Sequence, residues 1–364
     1  MIYLDWAATA PLCDGAKEKI FEYIDVFGNP SSVYDLGKKS KIIIEECRES
    51  IAENIGANPD ELFFTSGSSE SNSWALKNKN YLSSDFEHHS IRLSKETIPI
   101  KSNGIIDINF LKSSIEEYKA IDKFDTVTCM YVNNEIGTVQ PVKDIAKISH
   151  DNNMEFHMDA TQAMPHIHLN VKDINCDTMS FSGHKFGALK GIGALYVKDN
   201  HCIQNLIYGG KQEQGKRPGT ENILGIISMR YALEETIKNL ETRNKHIKIL
   251  KDKMLKYLYN IKSCKVYNFA NQLDSFINIS FNDIPSNLFV TICNNYGIYL
   301  SSGSACNEGT NEISHVLKSI KMNDQEANRV IRISIGYKNT VEDIHKFCKT
   351  IDDITKVIER IRLN

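Results

Sequence analysis

Residues 180–187 read SFSGHKFG and residues 190–197 read KGIGALYV, and this stretch decides the fold. Lys185 lies between two short runs that are typical of β-strands, 178–181 and 193–197, with small or hydroxylated residues beside it. The pattern predicts a lysine held on a turn against a sheet, where burial favours loss of its proton and fixes its position. The alternative is an ordinary surface lysine in a turn. The rest of the sequence favours Lys185 as a Schiff-base lysine.

Strands and helices alternate along most of the chain. Segments of strand character, with helical segments between them, occur at 61–65, 125–132, 155–158 and 176–181. This alternation predicts an α/β fold, in which ligand-binding groups gather beyond the carboxyl ends of the strands. Polar or reactive groups follow these segments at Ser66–Ser69, Asn134, Asp159 and Ser182–Lys185. We therefore expect one binding site at this edge of a mostly parallel sheet flanked by helices.

The length of 364 residues predicts more than one domain. A long helical region is predicted over 222–261, and we expect a domain boundary inside it. The prediction is a large domain at 12–245 and a smaller α+β domain formed by 1–11 and 246–364.

The charge balance argues against direct binding of nucleic acid, because the formal net charge is −3. Hydrophobic residues make up 41% and charged residues 24%, as in soluble globular proteins. No leader pattern and no run of about 18 apolar residues is present, so we expect no membrane association. A cytoplasmic location is predicted.

The nine cysteines are scattered and form no CxxC pair. Neither a zinc site nor a disulfide framework is indicated, and no metal ligand set is predicted. Cys306 differs from the others, because it lies in the small-residue segment SSGSACNEG at 301–309. A cysteine in such a segment is expected to be exposed and mobile.

These residues together fit pyridoxal 5'-phosphate. Lys185 would form the Schiff base and Asp159 would keep the pyridine nitrogen protonated, while the turn at 66–69 would hold the phosphate and His88 would stack on the ring. Each residue also has a simpler interpretation: a serine helix cap at 66–69, a helix cap at Asp159, and a polar loop histidine at His88.

The same residues resemble a known family, the cysteine desulfurases of the NifS/IscS type, which are fold-type I, class V pyridoxal-phosphate enzymes. The resemblance runs in order from residue 2 to about 345. Three positions depart from the family pattern: Trp6, Ala10 and Tyr34. The matching segments are 3–9, 28–32, 64–72, 87–88, 132–137, 159–162, 182–185 and 302–306.

The resemblance implies a role for each site residue. Lys185 is the imine lysine, Asp159 the pyridinium partner, Gln162 the partner of the phenolic oxygen, and His88 the stacking residue that assists proton transfer. Cys306 is the nucleophile. The remaining implied roles are phosphate or cofactor binding by Ser68, Ser69, Ser182, Gly183 and His184, contact with cofactor and substrate by Asn134, binding of the substrate carboxylate by Arg332, and contact with the neighbouring subunit's phosphate by Thr220.

The implied reaction converts L-cysteine to L-alanine and leaves a persulfide on Cys306. The implied partners are a second copy of the chain and a protein sulfur acceptor, such as an iron–sulfur scaffold or a thiolation enzyme. Two alternatives stay open. One is another pyridoxal-phosphate enzyme of this fold, an aminotransferase, a cysteine lyase or a selenocysteine lyase; the other is a sulfur-relay or structural subunit.

Overall fold

The computed structural model describes residues 1–91, 96–119, 123–198, 203–282, 284–303 and 313–363, with the side chains of all but 119 and 357–363. The described helices are α1 (Asp14–Tyr23), α2 (Asp35–Ile55), α3 (Ser68–Ala75), α4 (Ile108–Lys119), α5 (Val142–Asp151), α6 (Val171–Ile174), α7 (Ile223–Leu258), α8 (Ser286–Asn295), α9 (His315–Ser319), α10 (Asp324–Ala327) and α11 (Val341–Leu363). The described strands are β1 (Ile2–Tyr3), β2 (Leu62–Thr65), β3 (Tyr81–Ser84), β4 (Thr97–Ile98), β5 (Thr126–Met130), β6 (Glu155–Asp159), β7 (Thr178–Ser182), β8 (Gly193–Val197), β9 (Cys264–Tyr267), β10 (Phe276–Phe281), β11 (Ile298–Tyr299) and β12 (Ile331–Ser334).

The larger sheet has the strand order β2-β8-β7-β6-β5-β3-β4 within the described residues. Strands β7, β6, β5, β3 and β4 run parallel, whereas β8 is antiparallel to both of its neighbours. Every residue of β5, β7 and β8 is buried, because helices cover both faces of the sheet. This mixed, mostly parallel sheet flanked by helices confirms the predicted α/β fold.

The strand register brings the predicted site residues together. Met130 at the end of β5 lies opposite Asp159, and Asp159 lies opposite Ser180 of β7. The carboxyl ends of these parallel strands therefore meet at one edge of the sheet.

A second group of strands comes from the start of the chain and from the residues that follow α7. Strands β12, β10 and β9 form an antiparallel sheet, and β1 pairs in parallel with β11. Their hydrophobic core includes Ile247 and Leu250 of α7, whereas Ile226 and Leu233 at the other end of α7 belong to the core under the larger sheet. One helix thus packs against both cores. The predicted domain limits at residues 12, 245 and 246 stay a prediction.

Most predicted elements are present, with shifted ends. The strand at 193–197 has the predicted bounds, and the helical region predicted over 222–261 is α7, which begins at Ile223 and ends at Leu258. The sequence did not reveal α4, α8, β3 or β9. Among the described residues, none of the helices has the length and apolar character needed to cross a membrane.

Candidate active site

A cavity of about 260 Å³ lies at the carboxyl ends of the central strands. Its walls come from the N-terminal loop, the start of α3, the ends of the parallel strands and the second sheet. The lining residues are Ala7, Ala8, Ser68, Ser69, His88, Met130, Val132, Asn134, Asp159, Thr161, Gln162, His184, Lys185 and Arg332. Most of the predicted site residues therefore share one cavity.

Lys185 lies on the predicted turn between β7 and β8. Its Nζ donates to the carbonyl oxygens of Ala7 at 2.8 Å and Ala8 at 2.9 Å. The turn packs closely, since a Cβ at Gly183 would lie 2.9 Å from the Cβ of Ala188, and Gly187 has a φ of +97°. The amine is thus held at a fixed place in the cavity wall.

Asp159 is the last residue of β6 and is buried. Its Oδ2 accepts from the side-chain amide of Asn72 at 2.8 Å, and its Oδ1 accepts from the backbone N–H of Thr161 at 2.9 Å. Gln162, one turn further on, donates through Nε2 to the carbonyl of Ala7 at 2.6 Å. That carbonyl also accepts from Lys185, so the N-terminal loop joins Gln162 and Lys185.

Two histidines line the cavity, and burial lowers the pKa of both. For His88, the Asp159 carboxylate opposes this shift, whereas Lys185 and His89 add to it. For His184, burial and the positive charges of Lys185 and Lys190 lower the pKa to about 4. Its Nδ1 lies 3.1 Å from the hydroxyl of Thr9. Without a ligand, His184 is therefore neutral near pH 7, and an anion bound beside it would favour its protonated form.

The serine-rich turn at 66–69 leads into α3, whose first residues, Ser68 and Ser69, line the cavity. Glu70 fixes this turn, because its carboxylate accepts from the backbone N–H of Ser66 at 2.8 Å and pairs with Arg217 at 2.8 Å. A helix start with serine hydroxyls is suited to an anion.

Three predicted cofactor residues lie outside the lining of this cavity. Ser182 lies just behind the turn, since a Cβ at Gly67 would be 3.6 Å from its hydroxyl oxygen. Gly183 is buried in the turn that bears Lys185. Thr220 is exposed on the surface. The cavity of a single chain therefore does not include Thr220.

Arg332 of β12 forms the opposite wall and is only 1% exposed. One of its nitrogens pairs with Asp5 at 2.6 Å, and another donates to the backbone carbonyl of Asn134 at 2.7 Å. Its Nε has no hydrogen-bond partner among the described residues. A buried guanidinium with donor capacity left over, beside a cavity, is suited to a carboxylate ligand.

Cys306 falls outside the described residues, but the chain on both sides of it is anchored at this wall. Ser301 exchanges backbone hydrogen bonds with Arg332. A Cβ at Gly303 would lie 3.8 Å from Glu135 Oε2, and the hydroxyl of Ser314 lies 2.5 Å from the same oxygen. Glu135 follows Asn134, which lines the cavity.

The sequence interpretation assigned no role to five residues near the site. Three of them bond predicted site residues: Asn72 bonds Asp159, Ser90 bonds His88 and Asp5 bonds Arg332. The other two, His157 and Glu135, bond Asn72 and Ser314. One sequence signal could have identified Asn72. Asn72 follows Ser68 by four residues, so the two side chains share one face of α3.

The three residues that depart from the family pattern do not line the cavity that holds Asp159. Trp6 packs between Tyr3 and Tyr337 and donates to the carbonyl of Tyr3 at 3.1 Å. Trp6 and Ala10 line a smaller cavity of about 40 Å³ on another side of Lys185. Tyr34 is on the surface.

The chain matches the family described as Aminotransferase class-V over residues 2–347. The cysteine desulfurase IscS of Methanosarcina thermophila is 33% identical over 381 residues, covering 99% of this chain and 93% of that protein. A solved structure of a NifS-like protein has a TM-score of 0.90 at 29% identity, over 98% of this chain and 99% of that chain.

Another solved structure, described as SspA in complex with cysteine, has a TM-score of 0.77 at 30% identity, over 93% of this chain and all of that one (100%). The similarity therefore spans the whole chain and both sheets. The protein belongs to the class-V aminotransferase family and, within it, to the cysteine desulfurases of the IscS type, a family that uses pyridoxal 5'-phosphate.

Proposed function

We propose that this protein is a cysteine desulfurase that takes the sulfur from L-cysteine, leaving L-alanine and a persulfide on Cys306. The observation that carries the proposal is that an amine, a buried carboxylate, a histidine and a buried guanidinium line one cavity: Lys185, Asp159, His88 and Arg332. Family membership supports the same reaction.

The residues present fit pyridoxal 5'-phosphate. Asp159 is buried and oriented by two donors, as a carboxylate facing a pyridinium nitrogen must be, and the Lys185 amine lies in the same cavity. We propose that Lys185 binds the cofactor aldehyde, with Gln162, His88 and Asn134 around the ring and Ser68, Ser69, Ser182, Gly183 and His184 around the phosphate. When bound, the cofactor supplies an electron sink for bond breaking at the substrate.

The chain's own residues position the substrate and move protons. Arg332 binds the substrate carboxylate with a donor that its own pairs leave over. Lys185 Nζ and His88 Nε2 are the atoms that hold and transfer protons. The Cys306 thiolate attacks the substrate sulfur, so that an S–S bond forms as the substrate C–S bond breaks, and the electron pair stays with the carbon fragment that becomes alanine.

We also propose a homodimer, for which the surface offers an apolar face. Large apolar side chains are exposed along 21–36, including Phe27 at 79% and Val33 at 85%, and Tyr208 is 90% exposed. Gln212 joins the two segments through a hydrogen bond of 3.3 Å to Ser31. An exposed apolar surface of this kind is typical of a protein interface. Thr220 belongs to the same surface loop as Gln212, which fits a role in the neighbouring subunit's site.

We further propose that the persulfide passes to a protein acceptor in the cytoplasm, an iron–sulfur scaffold or a thiolation enzyme. The similarity to IscS-type proteins supports this proposal.

The decisive experiment is an absorbance spectrum of the holoenzyme before and after L-cysteine is added, with alanine and sulfide assays. The wild type should show a visible band that shifts with cysteine, and alanine should form. Lys185→Ala should lose the covalent cofactor band, and Cys306→Ala should keep the band but lose nearly all alanine formation. Cys264→Ala, which changes a cysteine of β9, is the matched control and should keep the activity.

Alanine formation that does not depend on Cys306 would favour a lyase, and keto-acid formation would favour an aminotransferase. A wild type with no visible band after cofactor is supplied would overturn the role of Lys185. A wild type that binds cofactor and forms no product would favour a sulfur-relay subunit. For the dimer, Phe27→Asp should convert the dimer to a monomer in light scattering; a monomeric wild type would contradict that part of the proposal.

A further inference from the structure

The side-chain amide of Asn72 connects two groups of the site. Asn72 is fully buried, and its Nδ2 donates to Asp159 Oδ2 at 2.8 Å and to the hydroxyl of Ser90 at 3.0 Å. The Ser90 hydroxyl lies 2.9 Å from Nδ1 of His88. One amide therefore holds the Asp159 carboxylate directly and the His88 ring through Ser90.

The hydrogen bonds around His88 have a fixed direction. The backbone N–H of Ser90 lies 3.2 Å from His88 Nδ1 and can only donate, so Nδ1 must accept. The Ser90 hydroxyl accepts from Asn72 and therefore gives its own proton to the same Nδ1. A neutral His88 thus carries its proton on Nε2.

The other side of the Asn72 side chain fits the same orientation of the amide. The Asn72 carbonyl oxygen can only accept, so His157 Nε2, at 3.0 Å, donates to it. His157 is buried, and its Nδ1 lies 2.8 Å from the hydroxyl of Thr178. A flipped amide would place its oxygen against the Asp159 carboxylate oxygen, where neither atom can donate, so Asp159 fixes the orientation of the amide.

We propose that Ser90 is a positioning residue of the reaction: its hydroxyl passes the hydrogen bond of Asn72 on to His88 and holds the ring in one orientation with its proton on Nε2. Because Asn72 also binds Asp159, the orientation of His88 is tied to the carboxylate at the other end of the network. The significance of this network for catalysis rests on the proposed function.

The ionisable groups that face His88 are Asp159, Lys185 and His89, and His315 of α9 lies behind His89 with ring centroids 4.9 Å apart. Asp159 favours a charged His88, whereas Lys185, His89 and burial favour a neutral one. The two donors from Ser90 act in the same direction as burial, because a protonated Nδ1 could not accept them. Ser90→Ala removes one of these donors and leaves the charged groups in place. The pKa of His88 should therefore rise.

The test uses the substrate-free holoenzyme with ¹⁵N-labelled histidine rings. The signal of His88, one of 11 histidines, is assigned by its loss in His88→Gln. In the wild type Nδ1 should be unprotonated and Nε2 protonated at neutral pH. In Ser90→Ala the ring should titrate about 0.5–1 pH unit higher, and the tautomer protonated on Nδ1 should gain population, because only the backbone N–H of residue 90 is left to donate to Nδ1. Ser90→Thr keeps the hydroxyl and should restore the wild-type signal, and Ser113→Ala, at an exposed serine of α4, is the control for serine loss.

Activity gives a second, separate readout. The acid limb of the kcat/KM profile for L-cysteine should move to higher pH by the same amount in Ser90→Ala, with a loss of about 2- to 6-fold at the wild-type midpoint and about 3- to 10-fold well below it. If the His88 titration and the kcat/KM profile of Ser90→Ala both match those of the wild type, the proposed role of Ser90 is overturned. The desulfurase proposal would stay intact. If the wild type forms no alanine, the proposed function fails, and the ring signals alone still decide whether Ser90 orients His88.

Discussion

Two buried arginines of this protein differ in how completely their donors are used. Arg48 of α2 makes a two-point pair with Glu213, with contacts of 2.8 and 2.9 Å, and also bonds the carbonyl of Leu62 at 2.8 Å and the carboxylate of Glu45 at 3.0 Å. Arg332 is bound through two of its nitrogens, and its Nε has no partner among the described residues. Arg48 thus makes four hydrogen bonds with its five N–H groups, whereas Arg332 makes two and has capacity left for a ligand.

The difference lies in the hydrogen-bond partners and not in nearness to a cavity, because Arg48 and Glu213 also line a cavity, of about 570 Å³. Glu213 also accepts from the backbone N–H of Phe64, so the Arg48 pair fastens the loop at 211–220 to β2, the strand that leads to the serine turn. Arg332 faces the cavity. A buried arginine whose N–H groups are mostly bonded to its own chain stabilises the fold. A buried arginine with N–H groups left over beside a cavity is available to bind a ligand. This comparison predicts opposite outcomes for substitutions at the two arginines.

The largest effect on stability is expected for Arg48→Met. The change leaves the buried Glu213 carboxylate without its cation and should lower the free energy of unfolding by about 3–5 kcal/mol, as measured by urea denaturation. Adding Glu213→Gln to Arg48→Met removes the uncompensated charge and should recover most of the loss. An Arg48→Met variant as stable as the wild type would show that the Arg48–Glu213 pair does not hold the loop at 211–220.

The next effect concerns catalysis. Arg332→Lys keeps a positive charge near Asp5 but loses the planar fork, so kcat/KM for L-cysteine should fall about 100-fold with little change in stability. Cysteamine, which lacks the carboxylate, serves as the matched substrate, and its turnover should change much less. The same substitution at the other arginine, Arg48→Lys, should lower stability and leave kcat/KM of the folded protein near the wild-type value. Equal effects of the two lysine variants on kcat/KM would contradict the comparison.

Glu87 extends the comparison to a buried acid that belongs to none of the ion pairs among the described residues. Its Oε1 accepts from the backbone N–H of Met130 at 2.8 Å and from the hydroxyl of Ser84. Burial raises its pKa from 4.5 to about 8, with a smaller contribution from Asp159. Between these two pH values the unfolded chain has lost the proton and the folded chain keeps it, so stability falls as pH rises.

The smallest predicted effect is the loss of stability that Glu87 causes as the pH rises. From pH 6 to 7.5 the wild type should lose stability relative to Glu87→Gln at up to about 1.4 kcal/mol per pH unit, because the two states differ by one bound proton. Urea denaturation of both proteins at the two pH values measures the difference. A wild type and a Glu87→Gln variant with parallel pH dependence would mean that Glu87 is ionised in the folded protein.

The sequence predicted the elements that carry a strong local pattern. Strand β8 and helix α7 have clear turn residues at their ends or clear helical character, and both are present. Helix α4 and strand β9 were missed. Cys264–Tyr267 is a β-strand only because it pairs with β10, and the paired residues lie 11 to 17 positions apart in the chain.

The site was predictable where its residues follow a strand. Asp159 ends β6 and Lys185 lies in the turn after β7, so alternation of strands and helices placed both at one edge of the sheet. Ser90 and His157 gave no such signal, because their roles depend on where Asn72 points from α3.

The sequence by itself therefore determined the α/β class, the strand-end residues and the resemblance that names Cys306, since these depend on local patterns and on order along the chain. Only the tertiary structure decided which charges are paired. Arg332 meets Asp5 across 327 positions and Arg48 meets Glu213 across 165, and neither separation leaves a mark in the sequence. Contacts of this kind depend on the order of strands in the sheets and on packing against α7, which form only when the whole chain folds.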